Sequence, residues 1–169
     1  MISRMLRAAA LEPALFEEVE HDSSLTWQAL QVVLIVSLAA GIGNVFRTGV
    51  PGLIVGSIFA LLGWAIWSFL IYIIGTTILK TPETKATWGQ LLRTIGFASS
   101  PGVIRIFSNF TFLGGLVTII ALVWTLAATV IAVRQALDLN TTGRAVAVCL
   151  VGWVVNLLLA IFLGLPSFP

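Results

Sequence analysis

The stretch TWGQLLRTIGFASSPGVIRIF, residues 87–107, decides how many times this chain crosses a membrane. Most of it is apolar, but Arg93, Pro101 and Arg105 interrupt it, so it reads either as a span or as a surface helix. The runs around it are plainer. Residues 23–46, 48–79, 106–133 and 145–169 contain no Asp, Glu, Lys or Arg. Each is longer than the roughly 20 residues that, at about 1.5 Å of rise apiece, carry a helix across a hydrocarbon core of about 30 Å.

Charge placement decides between five spans and four. Short loops on the cytoplasmic side of a membrane protein carry the excess of Lys and Arg. With five spans and a cytoplasmic N-terminus, Arg4, Arg7, Lys80, Lys85, Arg134 and Arg144 lie inside with Arg93 near that face, against Arg47 and Arg105 outside: seven against two. If 87–107 is an inside loop instead, Arg134 and Arg144 move outside beside Arg47, and the division weakens to six against three. The expected fold is therefore all-α, a polytopic transmembrane helical bundle of five spans near 26–46, 54–79, 88–108, 112–133 and 145–165, with the C-terminus outside. Arg93 and Arg105 sit near opposite ends of the third span, where long side chains snorkel to headgroups.

Pro101 kinks that third span. It has no N–H, it disfavours helix at Ser100, and it leaves the carbonyl of Phe97 in need of another donor, which Ser99, Ser100 or a neighbouring helix can supply. A break such as Ser99-Ser100-Pro101-Gly102 can instead line a binding site.

Composition agrees with lipid as the main solvent. Of 169 residues, 59% are hydrophobic and 9% charged, with a mean hydropathy of +1.07, where soluble domains are roughly one-quarter charged. The nine basic residues are scattered rather than grouped, which gives nucleic-acid binding no support. Arg4 and Arg7 precede only a very short apolar patch and then Glu12, Glu17, Glu18, Glu20 and Asp22, so the N-terminus does not read as a signal peptide. Residues 1–25 read as a short cytoplasmic amphipathic segment, with Leu11, Leu15 and Val19 at steps of four and Pro13 in an opening turn, and residues 26–169 as the transmembrane domain. The segment can pack on its own bundle or headgroups, or dock a partner.

Catalytic and cofactor chemistry find little material. The single histidine, His21, stands among acidic residues before the first span, with no second histidine or nearby cysteine to complete a metal site, and reads as solvated. Cys149 lies alone in an apolar run. None of the predicted spans contains Asp or Glu, the groups that ion-coupled transporters commonly bury. The expectation is a non-enzymatic chain without cofactor or metal.

Packing signals are stronger. Gly152, Asn156, Ala160 and Gly164 recur at steps of four on one face of the fifth span, where small residues let helices approach and an Asn can bond across the contact, within the bundle or between copies. Trp64, Trp67 and Trp124 fall near span centres, and Trp64 and Trp67 share a face. They read as core packing, as contacts to another membrane subunit, or as a wall for a lipid, quinone or pigment. Arg134 and Asp138 can pair four apart, and Thr141 or Thr142 can cap the fifth span beside Arg144. With Lys80, Lys85 and Arg93 these make a modest basic cytoplasmic surface facing the acidic segment.

In order along the chain, Gly63-Trp64 to Trp67, Tyr72 and Gly75-Thr76, then Leu91-Leu92-Arg93 with Gly96-Phe97-Ala98-Ser99-Ser100-Pro101-Gly102, then Val123-Trp124-Thr125-Leu126 and Ala132-Val133-Arg134-Gln135-Ala136-Leu137, the sequence resembles a bacterial member of the Ypt-interacting protein (Yip) domain family. The resemblance covers nearly the whole chain and implies five spans, a cytoplasmic N-terminus and a multi-pass place in a bacterial plasma membrane. Eukaryotic relatives act in vesicle trafficking and meet Rab-type GTPases through longer N-terminal regions. The short stretch before Thr26 does not carry that role over. The functions consistent with all of this are a scaffold or accessory subunit meeting lipids, other membrane subunits or itself, a carrier for a lipid or small neutral solute, or a membrane-shaping protein.

Overall fold

The apolar runs become helices, and short polar residues set where they begin and end. In a computed structural model, which describes residues 1–109 and 113–163, the helices are α1 (Ile2–Ala9), α2 (Pro13–His21), α3 (Thr26–Ile42), α4 (Val45–Ile73), α5 (Trp88–Ala98), α6 (Gly114–Ala136) and α7 (Thr142–Leu163). No strand occurs among the described residues. Pro13 occupies the first turn of α2, where its missing N–H costs nothing. Thr87 and Gln90 cap α5 reciprocally, the Gln90 N–H donating to Thr87 Oγ1 at 3.4 Å and the Thr87 N–H to Gln90 Oε1 at 2.6 Å. α6 closes with the Leu139 N–H on the Arg134 carbonyl and the Asp138 N–H on the Gln135 carbonyl, both 2.9 Å, which puts Asp138 in the left-handed region at φ 51°.

The expected third span, a single helix kinked at Pro101, is divided into two kinds of helix. α5 stops at Ala98, and Ser100–Asn109 continues as a 3-10 helix. The missing Pro101 donor is made good locally: Ser100 Oγ donates to the Phe97 carbonyl at 2.6 Å, and Ser99 Oγ to the Gly96 carbonyl at 2.7 Å. Gly102 is pressed against α3, where an added Cβ would sit 2.8 Å from Val36 Cγ1. The break is filled by its own hydroxyls and by a neighbouring helix.

Three stretches are long and apolar enough to cross a membrane, Ser23–Ile42, Thr48–Ile78 and Gly114–Ala136, and α7 adds the shorter apolar stretch Thr142–Leu158. α4 is bent near its start, where Gly49 takes φ 66° just before Pro51, and it ends in a π-helical turn, Ile74–Ile78. That turn brings Gly75 against α6's end, leaving room for Leu137, whose Cδ1 would lie 2.4 Å from a Cβ at Gly75.

The core has two parts. One gathers Leu15, Phe16 and Val19 of α2 with Ala29 and Val32 of α3, Phe97 and Ala98 of α5, and Ala128 and Ala132 of α6. The other gathers Ile71, Ile74, Leu91, Ile95, Val133, Leu137, Val148 and Cys149. Trp64 packs against both. The amphipathic stretch before α3 thus sends its apolar face into the bundle, and each of its three large side chains, fully buried, contributes about 1.5–3 kcal/mol. Outward faces of α4, α6 and α7 are aliphatic, with Ile58, Leu62, Ile119, Leu122, Leu150 and Leu158 among their exposed residues.

Candidate functional site: the polar junction at the end of α2

Where α2 ends, its last carbonyls need donors, and α5 supplies them from within the bundle. Arg93 is 7% exposed. Its Nε donates to the Val19 carbonyl at 2.9 Å, its Nη2 to the Glu20 carbonyl, and its Nη1 to Thr26 Oγ1 at 3.4 Å. The expectation of a surface arginine snorkelling to headgroups is corrected: the guanidinium is a buried clamp joining α2, α3 and α5.

Because Arg93 is committed to main-chain carbonyls, it does not ion-pair with the Glu20 carboxylate. Glu20 is 3% exposed; Gln90 Nε2 donates to its Oε1 at 3.0 Å, and its Oε2 meets no donor. Next to it, His21 Nδ1 lies 2.9 Å from the Glu17 carbonyl, and Gln135 Nε2 donates to Glu17 Oε1 at 2.8 Å. An open groove of about 440 Å³ adjoins these groups, lined by Glu17, Glu83, Arg134, Gln135, Asp138, Leu139 and Asn140.

Burial, and then the negative charge of Asp138, push the Glu20 carboxyl up to about 7. His21 is raised by its bond to the Glu17 carbonyl and then by Glu20. Across the junction, Arg4 Nε reaches Glu18 at 2.7 Å, and Arg7 bonds Glu18 at 2.6 Å and Glu12 at 2.9 Å, so Arg7 holds both carboxyls below their ordinary value. A folded-state pKa above the ordinary 4.5 means that folded protein holds the Glu20 proton more tightly. That stabilisation is full below 4.5 and is lost as pH rises through about 7; His21, raised above its ordinary 6.5, acts in the same sense. In EDTA and detergent, the melting temperature should rise by on the order of 5 °C from pH 8 to about 5.5. It should fall again once Glu12 and Glu18 protonate, below their ordinary 4.5. A flat profile from pH 8 to 5.5 contradicts this.

The tryptophans singled out in the sequence contact neighbouring helices. Trp64 Nε1 donates to the Leu92 carbonyl at 3.0 Å, and Trp124 Nε1 to the Ala9 carbonyl at 2.7 Å. Trp67 and Ile71 abut Gly152, where an added Cβ would lie 3.3 Å from Trp67 Cη2 and 2.7 Å from Ile71 Cδ1, so this end of the small-residue strip serves the α4–α7 contact. Asn156 is buried, the side chain of Ala160 is not described, and Gly164 lies outside the described residues. Arg134 does not pair with Asp138. Helix ends at Ala136, so Asp138 leaves the i,i+4 position, and Arg134 instead donates to the Leu139 carbonyl at 3.4 Å and to Thr142 Oγ1 at 3.3 Å. The Arg144 N–H bonds Thr141 Oγ1 at 3.4 Å, and its side chain is exposed. His21 was singled out from sequence, as a solvated side chain, and it is exposed; the buried carboxylate of Glu20 was not, and its local signal is Glu17, Glu20 and His21 at i, i+3 and i+4.

Long apolar helices, aliphatic outward faces and polar groups turned toward one another inside define a helical integral membrane protein, whose outer surface meets lipid. The chain belongs to the Yip1 domain family, whose model matches residues 10–164. No curated protein and no solved structure matches it.

Proposed function

We propose that this chain is a non-enzymatic scaffold or accessory subunit of a membrane assembly, crossing a bacterial plasma membrane five times with its N-terminus inside. The observation that carries the reading is Trp153. It stands midway along α7, 55% exposed, among exposed Leu150, Val154 and Leu157, and its indole N–H has no acceptor among the described residues. Tryptophan favours the headgroup level, and an unpaired N–H in hydrocarbon is costly. A protein acceptor supplied by a second subunit removes that cost.

The five-span count draws support from lengths. The α5 and 3-10 segments together extend about 35 Å at their respective rises, enough to match a hydrocarbon core despite the break. The seven-to-two division of basic residues supports the orientation. The carrier reading depended on the break at 99–102, whose hydroxyls are engaged by their own helix, so it gains no support there.

A photo-crosslinking amino acid at position 153, activated in native membranes, should give a covalent adduct with another polypeptide, and the same probe at Leu122 on α6 should give much less. A solitary monomer at both positions, and in native mass spectrometry from mild detergent, sinks the subunit reading.

A further inference from the structure

We propose that Glu17, Glu20 and His21 form a site for one divalent transition-metal ion of the zinc or manganese class. Their donor atoms lie within 4.8 Å of one another, at i, i+3 and i+4 of α2, on one face of a single helix. Two carboxylates and one imidazole make a ligand set suited to such ions, with remaining positions open to water on the side where His21 is exposed.

Two features separate this site from a chance acidic cluster. The first is the unpartnered Oε2 of Glu20, on a side chain 97% removed from solvent by its 3% exposure. A buried carboxylate with one oxygen unbonded calls for a proton or a cation. The second is that each ligand is oriented by a hydrogen bond, for both carboxylates from a side chain outside the cluster. Gln90 holds Oε1 of Glu20, Gln135 holds Oε1 of Glu17, and the Glu17 carbonyl receives Nδ1–H of neutral His21, which leaves Nε2 bare. Outer partners of this kind fix the tautomer and aim the ligands of metal sites.

The surroundings favour positive charge. Asp138 faces Glu20 and His21 from the α6–α7 turn, and Glu83 lines the adjoining groove with it. The nearest cations are engaged elsewhere: Arg93 by main-chain carbonyls, Arg134 by the Leu139 carbonyl and Thr142.

The test uses the full chain, without an affinity tag, stripped with EDTA in detergent and titrated with zinc or manganese chloride by calorimetry and native mass spectrometry. One ion per chain is expected, with affinity falling as pH drops below about 7, because protons compete for the same ligands. His21→Ala and Glu20→Gln should each weaken binding by about tenfold or more, while Glu83→Gln should change it little. His21 is at the surface, so His21→Ala keeps the test open even if Glu20→Gln perturbs folding. Absence of a bound ion, or equal affinity in His21→Ala and the unaltered chain, overturns the proposal.

Discussion

Arg93→Met should cost about 3–5 kcal/mol of stability and loosen the first 25 residues, because it removes donors from two buried carbonyls at once and a third from the more exposed Thr26 hydroxyl. The carbonyls of Val19 and Glu20 and the Thr26 hydroxyl lose their bonds to the guanidinium, and methionine fills similar volume without replacing any of them. Arg93→Lys should recover only part of the loss, since one ammonium does not reproduce the planar fork that reaches α2 and α3 together. Melting in detergent reads the stability, and limited proteolysis reads the release of α1 and α2. If Arg93→Met leaves both unchanged, the apolar contacts of Leu15, Phe16 and Val19 alone hold α2 in place.

Gly43→Ala is expected to be as damaging through a different force. A Cβ there would lie 1.9 Å from the Arg105 carbonyl oxygen and 2.6 Å from Ser108 Oγ, and that hydroxyl donates to the Gly43 carbonyl at 2.8 Å. The obstacle is backbone of the 3-10 segment, so relief requires moving a whole element; about 3 kcal/mol or more is the expected loss. Gly56→Ala, in α4, is the matched comparison. Nothing lies within 4 Å of its added methyl, and replacing a mid-helix glycine should gain about 0.5–1 kcal/mol. Melting shifts of opposite sign are the expected result. Equal responses at both positions would mean that the 3-10 segment does not press against the end of α3.

The long helices follow from charge-free runs, because lipid leaves the backbone no other partner than itself. The break at Pro101 and its repair by Ser99 and Ser100 follow from one missing N–H. Arg93 was not legible in the same way. Its acceptors are 73 and 74 residues earlier in the chain, and no local pattern announces that the end of another helix will lie against it. Arg134 and Asp138 fail as a pair for a related reason: i,i+4 spacing counts only while the helix continues, and the turn after Ala136 is set by Asp138 adopting a left-handed backbone. Gly152 and Trp67 each stand out in the sequence, yet only the fold reveals that one makes room for the other.

The bond from Trp124 to the Ala9 carbonyl and that from Gln135 to Glu17 join residues 115 and 118 positions apart. Translation runs at about 5–20 residues per second, so the N-terminal helices emerge on the order of ten seconds before α6 exists to receive them. Through that interval the cavity for Leu15, Phe16 and Val19 lacks its α6 side, Ala128 and Ala132. The helices before α3 are therefore made well before the surface on α6 that receives them, and their docking waits for it.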